Sequence, residues 1–320
     1  MAAKVGRAAL EKLQWRNHDC RDKNTLAYLG RTRRGTKVFI NKAVAEADLV
    51  LLIGSIEPHL HAGFGGGCKN ILPGVAGLET ISQNHALCAH PKYFSAVGLE
   101  PDKNPMRQDI EEGAQMIRGV TFIVNTVLNH DLKVIKIVAG DPIAAHREGM
   151  KVTREIYGVR IPAQADVVIT DSYPMDLDLR QGAKAIGNTH FAAKPGGIII
   201  AALKCDDGLG ESGFAKARLP SSPLMVNLLA KVLAPLIKSL PLGISPEDRF
   251  SVYTALKTIQ RNRIFACAPS IADEMSRRGS LFRIFKSMPD AVAEAEEIKP
   301  EATVLIFPMG GVTYPIVGSR

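Results

Sequence analysis

Short apolar runs alternate with amphipathic stretches along the whole 320-residue chain. That alternation constrains the fold more than any other feature, because it is the pattern of an α/β protein. The runs at 38–41, 49–55, 121–126, 132–139, 165–170, 197–203, 263–268 and 303–307 are mostly β-branched and continuous. Continuous apolar character suits strands covered on both faces, as in parallel sheets. Helical periodicity fills the spaces between them, at 105–118, 142–157, 177–193, 223–240, 246–262 and 291–298. Several of these open on proline, which a first helical turn accepts. The expectation is two α/β domains with mostly parallel sheets. Residues 157–163 read as a connection, after which the strand–helix cycle restarts. An N-terminal domain over 1–156 and a C-terminal domain over 157–304 follow, with 305–320 returning to the first.

Composition removes several function classes. The formal charge is +8, but residues 1–42 hold eleven Lys/Arg and three Asp/Glu, so the remainder is neutral. A basic end without an aromatic platform or a known reading motif does not make a nucleic-acid binder. The first fifteen residues lack the apolar core of a secretory signal, and Glu11 and Asp19 interrupt a mitochondrial-type leader. No apolar run approaches the ~20 residues of a membrane helix. Five cysteines with no C-x-x-C pair fit free thiols in a reducing compartment, so a cytoplasmic location is expected.

Chemistry concentrates after the run at 49–55. His59, His61, His85 and His90 fall within 32 residues, around the densest glycine cluster, Gly63-Phe-Gly-Gly-Gly-Cys-Lys69. This segment stands at the carboxyl end of an expected strand, where open α/β sheets place ligands. Standard motifs fail here. Cys68 stands where a dinucleotide fingerprint needs Gly, and Cys68 and Asn70 flank Lys69 where a phosphate loop needs Gly and Ser/Thr. What remains is a loop of small side chains that lets backbone approach a planar or anionic ligand, with a lysine able to act as charge partner or nucleophile. His59-x-His61 is also one metal-ligand spacing. The plain alternative is a tight structural loop whose histidines bond backbone.

The same residues resemble the nickel-dependent lactate racemase family. Ile56-Glu57, His59, Ala62-Gly63-Phe64, Gly66-Gly67, Lys69, Ile71, Pro73-Gly74 and Asn84-His85 reproduce its segment, with ten residues from His59 to Lys69 and sixteen more to His85. The likeness extends upstream to Asn17-His-Asp and the segment 29–35, and downstream to Tyr314-Pro315.

That resemblance implies a specific chemistry. The family's cofactor is a nickel-bearing pyridinium-3,5-bisthiocarboxylate mononucleotide, a pincer tethered to a lysine. The matching lysine is Lys69, with Gly66 and Gly67 as cofactor-binding neighbours, and His85 matches the family's nickel ligand. One imidazole plus three pincer donors makes a four-coordinate site, which Ni(II) accepts. His59 matches a base that takes the substrate hydroxyl proton. Gln181 and Lys184, three apart on an expected helix after Asp171-Ser-Tyr-Pro174, match residues that reach the site from the second domain, Lys184 toward a substrate carboxylate. Phe250 stands where some members have a tryptophan. The implied function is racemisation or epimerisation of a 2-hydroxy acid by hydride transfer in a cleft between the domains, with cofactor-maturation enzymes as partners.

The chain also departs from the family. It has no counterpart of an N-terminal Asp-x-x-Arg pair or of a second histidine base, and so reads as lacking the family's N-terminal stretch. His61 and His18 are conceivable substitutes for that base. Gly65 replaces a common Ser and Cys68 a common Ala. Two other readings follow, a non-catalytic homologue that holds the cofactor and a His-x-His metal-dependent hydrolase.

Overall fold

A computed structural model describes residues 6–210 and 246–318, together with Leu228 and Val232. After helix α1 (Arg7–Lys12), β1 (Leu26–Arg31) and β2 (Lys37–Asn41) form an antiparallel hairpin. The short helix α2 (Lys42–Ala45) leads into β3 (Leu49–Ser55). Then come a two-residue pair, β4 (Pro58–His59) and β5 (Gly63–Phe64), and helices α3 (Leu78–Ala86) and α4 (Pro105–Ala114). β6 (Val120–Leu128) runs parallel to β3, β7 (Val134–Gly140) runs antiparallel to β6, and α5 (Ala144–Tyr157) follows. Val50, Leu52, Ile123, Val127 and Val138 turn inward and pack with Met106, Ile110 and Met150 of α4 and α5. The opposite face of the same sheet stays uncovered by the described residues.

The second half is covered on both sides. β8 (Gly158–Ile161) precedes β9 (Ala165–Asp171), α6 (Leu179–Thr189), β10 (Ala193–Ala202), α7 (Pro246–Arg261), β11 (Arg263–Cys267), α8 (Ala272–Arg278), β12 (Arg283–Phe285), α9 (Met288–Ile298) and β13 (Val304–Phe307). They build a five-stranded, wholly parallel sheet of order β12-β11-β10-β9-β13. One face packs Val168, Ile199 and Ile264 against Leu179, Ile186, Val252 and Leu256. The other packs Val167, Ile198 and Phe265 against Ala291 and Ala295. The mixed α/β architecture with mostly parallel sheets is the one the apolar pattern called for.

Local differences have simple causes. Residues 157–163 are not a plain connection, because β8 pairs with β14 (Tyr314–Val317), a partner at the far end of the chain that local sequence cannot reveal. The helix expected to reach residue 193 ends at Thr189, and a 3-10 turn, His190–Ala192, leads straight into β10. The sheet at β7 begins after Leu132, which takes φ 60° in a turn. The helix expected over 223–240 lies outside the described residues, Leu228 and Val232 excepted.

Candidate active site

The glycine loop leaves β3 at Ser55 and doubles back through β4 and β5. Its backbone is held by groups buried beneath it. The fully buried guanidinium of Arg107, on α4, donates to the carbonyls of Ala62 (3.3 Å), Phe64 and Gly66 (3.5 Å). The side-chain oxygen of Asn125, on β6, accepts from the Gly67 N–H at 2.7 Å. His146, on α5, donates its Nε2–H to the Gly65 carbonyl at 2.7 Å. Gly66 and Gly67 take φ +66° and +59°, and a Cβ would meet the Ser55 carbonyl at 2.6 Å and the His146 ring at 2.9 Å. The loop's own packing therefore already demands these two glycines, whatever ligand it receives. Cys68 is buried and its thiol is pushed up to about 12 by burial, so it packs rather than reacts.

The chemical side chains stand on this scaffold. His59 accepts the backbone N–H groups of His61 and Ala62 on Nδ1, at 3.3 and 3.1 Å, so the neutral ring carries its proton on Nε2. Glu57 accepts from the Ser55 hydroxyl at 2.8 Å, and its Oε1 lies 2.2 Å from where a Gly65 Cβ would stand. Lys69 sits in the 3-10 turn Gly67–Asn70. His85 lies in the last turn of α3 and donates Nδ1–H to the Ile81 carbonyl at 2.7 Å. Its neighbour Asn84 is buried and donates to Asp109 at 2.9 Å. Asp109 also accepts from Thr32 and Thr36 at 2.5 and 2.8 Å, which ties α3 to the β1–β2 turn.

The second half closes over the same place. Asp178 caps α6 by accepting from the Gln181 N–H, and α6 presents Gln181 and Lys184 one turn apart. Leu60, between His59 and His61, packs so closely on α6 that a Cβ at Gly187 would meet it at 2.8 Å. The Ser95 hydroxyl donates to the Gly187 carbonyl, and that of Thr254 on α7 donates to Phe94. Phe250, also on α7, lies with its ring 5.1 Å from His61 and 4.7 Å from His85.

Electrostatically these groups form one set. His59 is held well below its ordinary 6.5, first by burial, then by Lys69, His61, Lys184 and His85. His85 is lowered to about 4 and His61 to about 3, both mainly by burial. Burial takes Lys69 from 10.5 to about 7, against the pull of Glu57 and with help from Arg107 and Lys184. Lys184 is lowered by burial and partly restored by Glu57. The site at neutral pH thus contains neutral imidazoles and a lysine whose free amine is abundant. Among the expected residues, His59, Lys69, His85 and Lys184 share one field. His18 bonds Ala76 and Asn41 instead, through both ring nitrogens.

Residues 1–96 match the lactate racemase N-terminal domain family, and residues 161–314 match the lactate racemase C-terminal domain family. The chain belongs to the lactate racemase family. It is 37% identical over 216 residues to the lactate racemase of Thermoanaerobacterium thermosaccharolyticum, covering 67% of this chain and 50% of that protein. Against the lactate racemase of Lactiplantibacillus plantarum it is 35% identical over 202 residues, 62% of this chain and 46% of that one. The match thus spans about half the length of these two curated relatives. The structure of the T. thermosaccharolyticum lactate racemase apoprotein superposes with a TM-score of 0.84 at 29% identity, covering 100% of this chain and 74% of that chain. A crystal structure of a Thermotoga maritima protein shares the fold, with a TM-score of 0.65 at 17% identity, over 95% of this chain and 78% of that one.

Within that lactate racemase frame, sequence reasoning missed Arg107, Asn125 and His146. Each lies far from the motif in sequence, and each acts on backbone carbonyls or N–H groups that leave no sequence trace. No set of three metal-binding side chains occurs among the described residues, so the His-x-His hydrolase reading gains no support from the structure. No described helix is long and apolar enough to cross a membrane.

Proposed function

We propose that the chain is a racemase or epimerase of a 2-hydroxy acid, with a nickel-bearing pyridinium pincer nucleotide held covalently at Lys69. The observation that carries this reading is the meeting of a nucleophilic amine, two neutral imidazoles and a second lysine in one shielded cleft. A soluble location in the cytoplasm and supply of the cofactor by dedicated maturation enzymes belong to the same proposal.

The residues fit such a group. Lys69, lowered to about 7, offers the neutral amine that covalent attachment requires. His85 offers a lone pair on Nε2, because its Nδ1–H is engaged by Ile81, the arrangement that orients metal-binding imidazoles. Among the described residues no group of three or more His, Cys, Asp or Glu side chains could hold a metal ion, so a nickel ion at His85 would need further donors from the bound group. The chemistry supplied by that group is reversible hydride acceptance, which spares the substrate a carbanion beside its own carboxylate.

The chain's own residues do the rest. Lys184 draws the substrate carboxylate inward, and Gln181 offers hydrogen bonds one turn away. Phe250 and Leu60 exclude water from the cleft. A bound carboxylate offsets the charge of Lys184, one of the lesser causes that, behind burial, hold His59 low. In this rotamer His59 meets the substrate oxygen as an Nε2–H donor. To accept the hydroxyl proton at Nε2, its Nδ1 must first release the backbone of His61 and Ala62.

Loaded enzyme with a 2-deuterated hydroxy acid in ordinary water tests the proposal. Inverted product that keeps its deuterium supports it. Inversion with washout of the label overturns hydride transfer, and a loaded protein that inverts no hydroxy acid leaves only cofactor binding.

A further inference from the structure

The carboxyl edge of the five-stranded sheet holds a cavity of about 560 Å³, a volume suited to a small organic molecule. Asp171, Ala202 and Cys267, the last residues of β9, β10 and β11, stand side by side in register and line it. They continue the face that packs Val167, Ile198 and Phe265 against α9, the side of the sheet opposite α6. None of the residues placed in the catalytic cleft reaches it. Topology opens this crevice. The chain steps from β9 through β10 and β11 to β12, then returns by α9 to β13 at the other edge, beside β9. β9 leads to α6 on one face while α9 occupies the other, and ligands of open α/β sheets lie at such a reversal.

Charge in the cavity is sorted by strand. Lys286 follows β12 and Lys204 follows β10, whereas Asp171 ends β9 and Asp176 lies just beyond it. Lys286 and Lys204 each meet one exposed carboxylate at 2.7 Å, those of Asp273 and Asp206. An ammonium has three donors, so each keeps two. Asp171 accepts the Tyr173 N–H at 2.7 Å, and neither it nor Asp176 has an ion-pair partner among the described residues. Leu203, Pro269 and Met288 add apolar wall, and the half-exposed ring of Tyr173 lies on the carboxylate side. A ligand of one sign would leave either the lysines or the carboxylates unanswered. Three strand spacings, each about 4.8 Å, separate β12 from β9. The lysine stems span part of that distance, which leaves about 10 Å between the opposed charges, the reach of three extended residues.

We infer that this cavity binds a short zwitterionic peptide, its ammonium at Asp171 and Asp176 and its carboxylate at Lys204 and Lys286. A tripeptide carries one charge of each sign at its two ends and small side chains between them for the apolar wall.

Calorimetric titration of the purified, unloaded protein with trialanine tests this. Saturable one-to-one binding is expected, with slowed amide exchange over 203–205 and 286–288. N-acetyl-trialanine lacks the ammonium and trialanine amide lacks the carboxylate, so each should bind about tenfold or more weakly. Lys286→Met, at an exposed side chain, should weaken trialanine to the same degree. Asp171→Asn should weaken trialanine but not N-acetyl-trialanine, whose blocked end has no charge for that carboxylate. Absence of saturable heat with trialanine overturns the inference. So does equal binding of either blocked peptide, which makes the cavity a site for a lone cation or anion. Binding of adenosine monophosphate in place of trialanine overturns it as well. None of these readouts involves cofactor loading or turnover, so failure of the proposed reaction leaves the inference standing.

Discussion

The Nδ1–H of His85 donates to the carbonyl oxygen of Ile81, one helical turn earlier and 2.7 Å away. This bond selects the tautomer with a free Nε2 and aims the ring at the cleft, while Asn84, bonded to Asp109, fixes the helix behind it. His85→Ala should therefore reduce nickel retained after loading at least about tenfold, with the mass adduct at Lys69 unchanged. Metal analysis of the purified variant checks this. Full retention of nickel would remove His85 from the ligand role.

Lys69 should be far more reactive than surface lysines. With its ammonium lowered to about 7, labelling of the unloaded protein by an acetylating reagent should reach half its maximal rate near pH 7. The folded value lies below the unfolded one of 10.5, so between about 7 and 10.5 the unfolded chain binds the extra proton. The contribution of Lys69 to stability therefore rises with pH across that window and is lost as pH falls toward 7. Lys69→Met should remove this slope from urea denaturation curves measured at several pH values.

Arg107 holds the loop by its carbonyls, and its removal leaves them buried without donors. Arg107→Ala should cost about 3 kcal/mol or more in urea denaturation. Arg107→Lys should not restore the loss, because a single ammonium cannot reproduce a planar fork that reaches Ala62, Phe64 and Gly66. A wild-type denaturation midpoint in Arg107→Lys would contradict this.

Gly65 leaves room for the carboxylate of Glu57, whose Oε1 lies 2.2 Å from the position a Cβ would take. Gly65→Ser should displace Glu57. Because Glu57 is the group that pulls the Lys69 value upward, the labelling midpoint of Lys69 should move to lower pH. An unmoved midpoint would show that Glu57 does not set it.

The sequence read most clearly where structure is local. Periodicity located the strands that became β3, β9, β10, β11 and β13, and glycine density located the loop at the end of β3. The resemblance to the family's segment marked His59, Lys69 and His85 as a set, although it could not show that Phe250 would lie against the rings of His61 and His85. Contacts made by backbone atoms were illegible. Arg107 falls in the first turn of the helix expected over 105–118, where nothing local marks it for burial, yet it is fully buried under the loop. The continuous apolar character of β3 predicts cover on both faces, whereas among the described residues only the face of Val50 and Leu52 is covered. The expected basicity of His59 also shifted, because spacing along the chain does not reveal how deeply the ring is buried or which cations share its cavity.

The central claim is that Lys69 is the point where a cofactor joins this chain. Intact and peptide mass spectrometry after co-expression with the cofactor-making enzymes measures it directly. The account predicts one covalent adduct, located on Lys69, absent from Lys69→Ala and present in His59→Ala. An unmodified chain, or an adduct on any other residue, would contradict it.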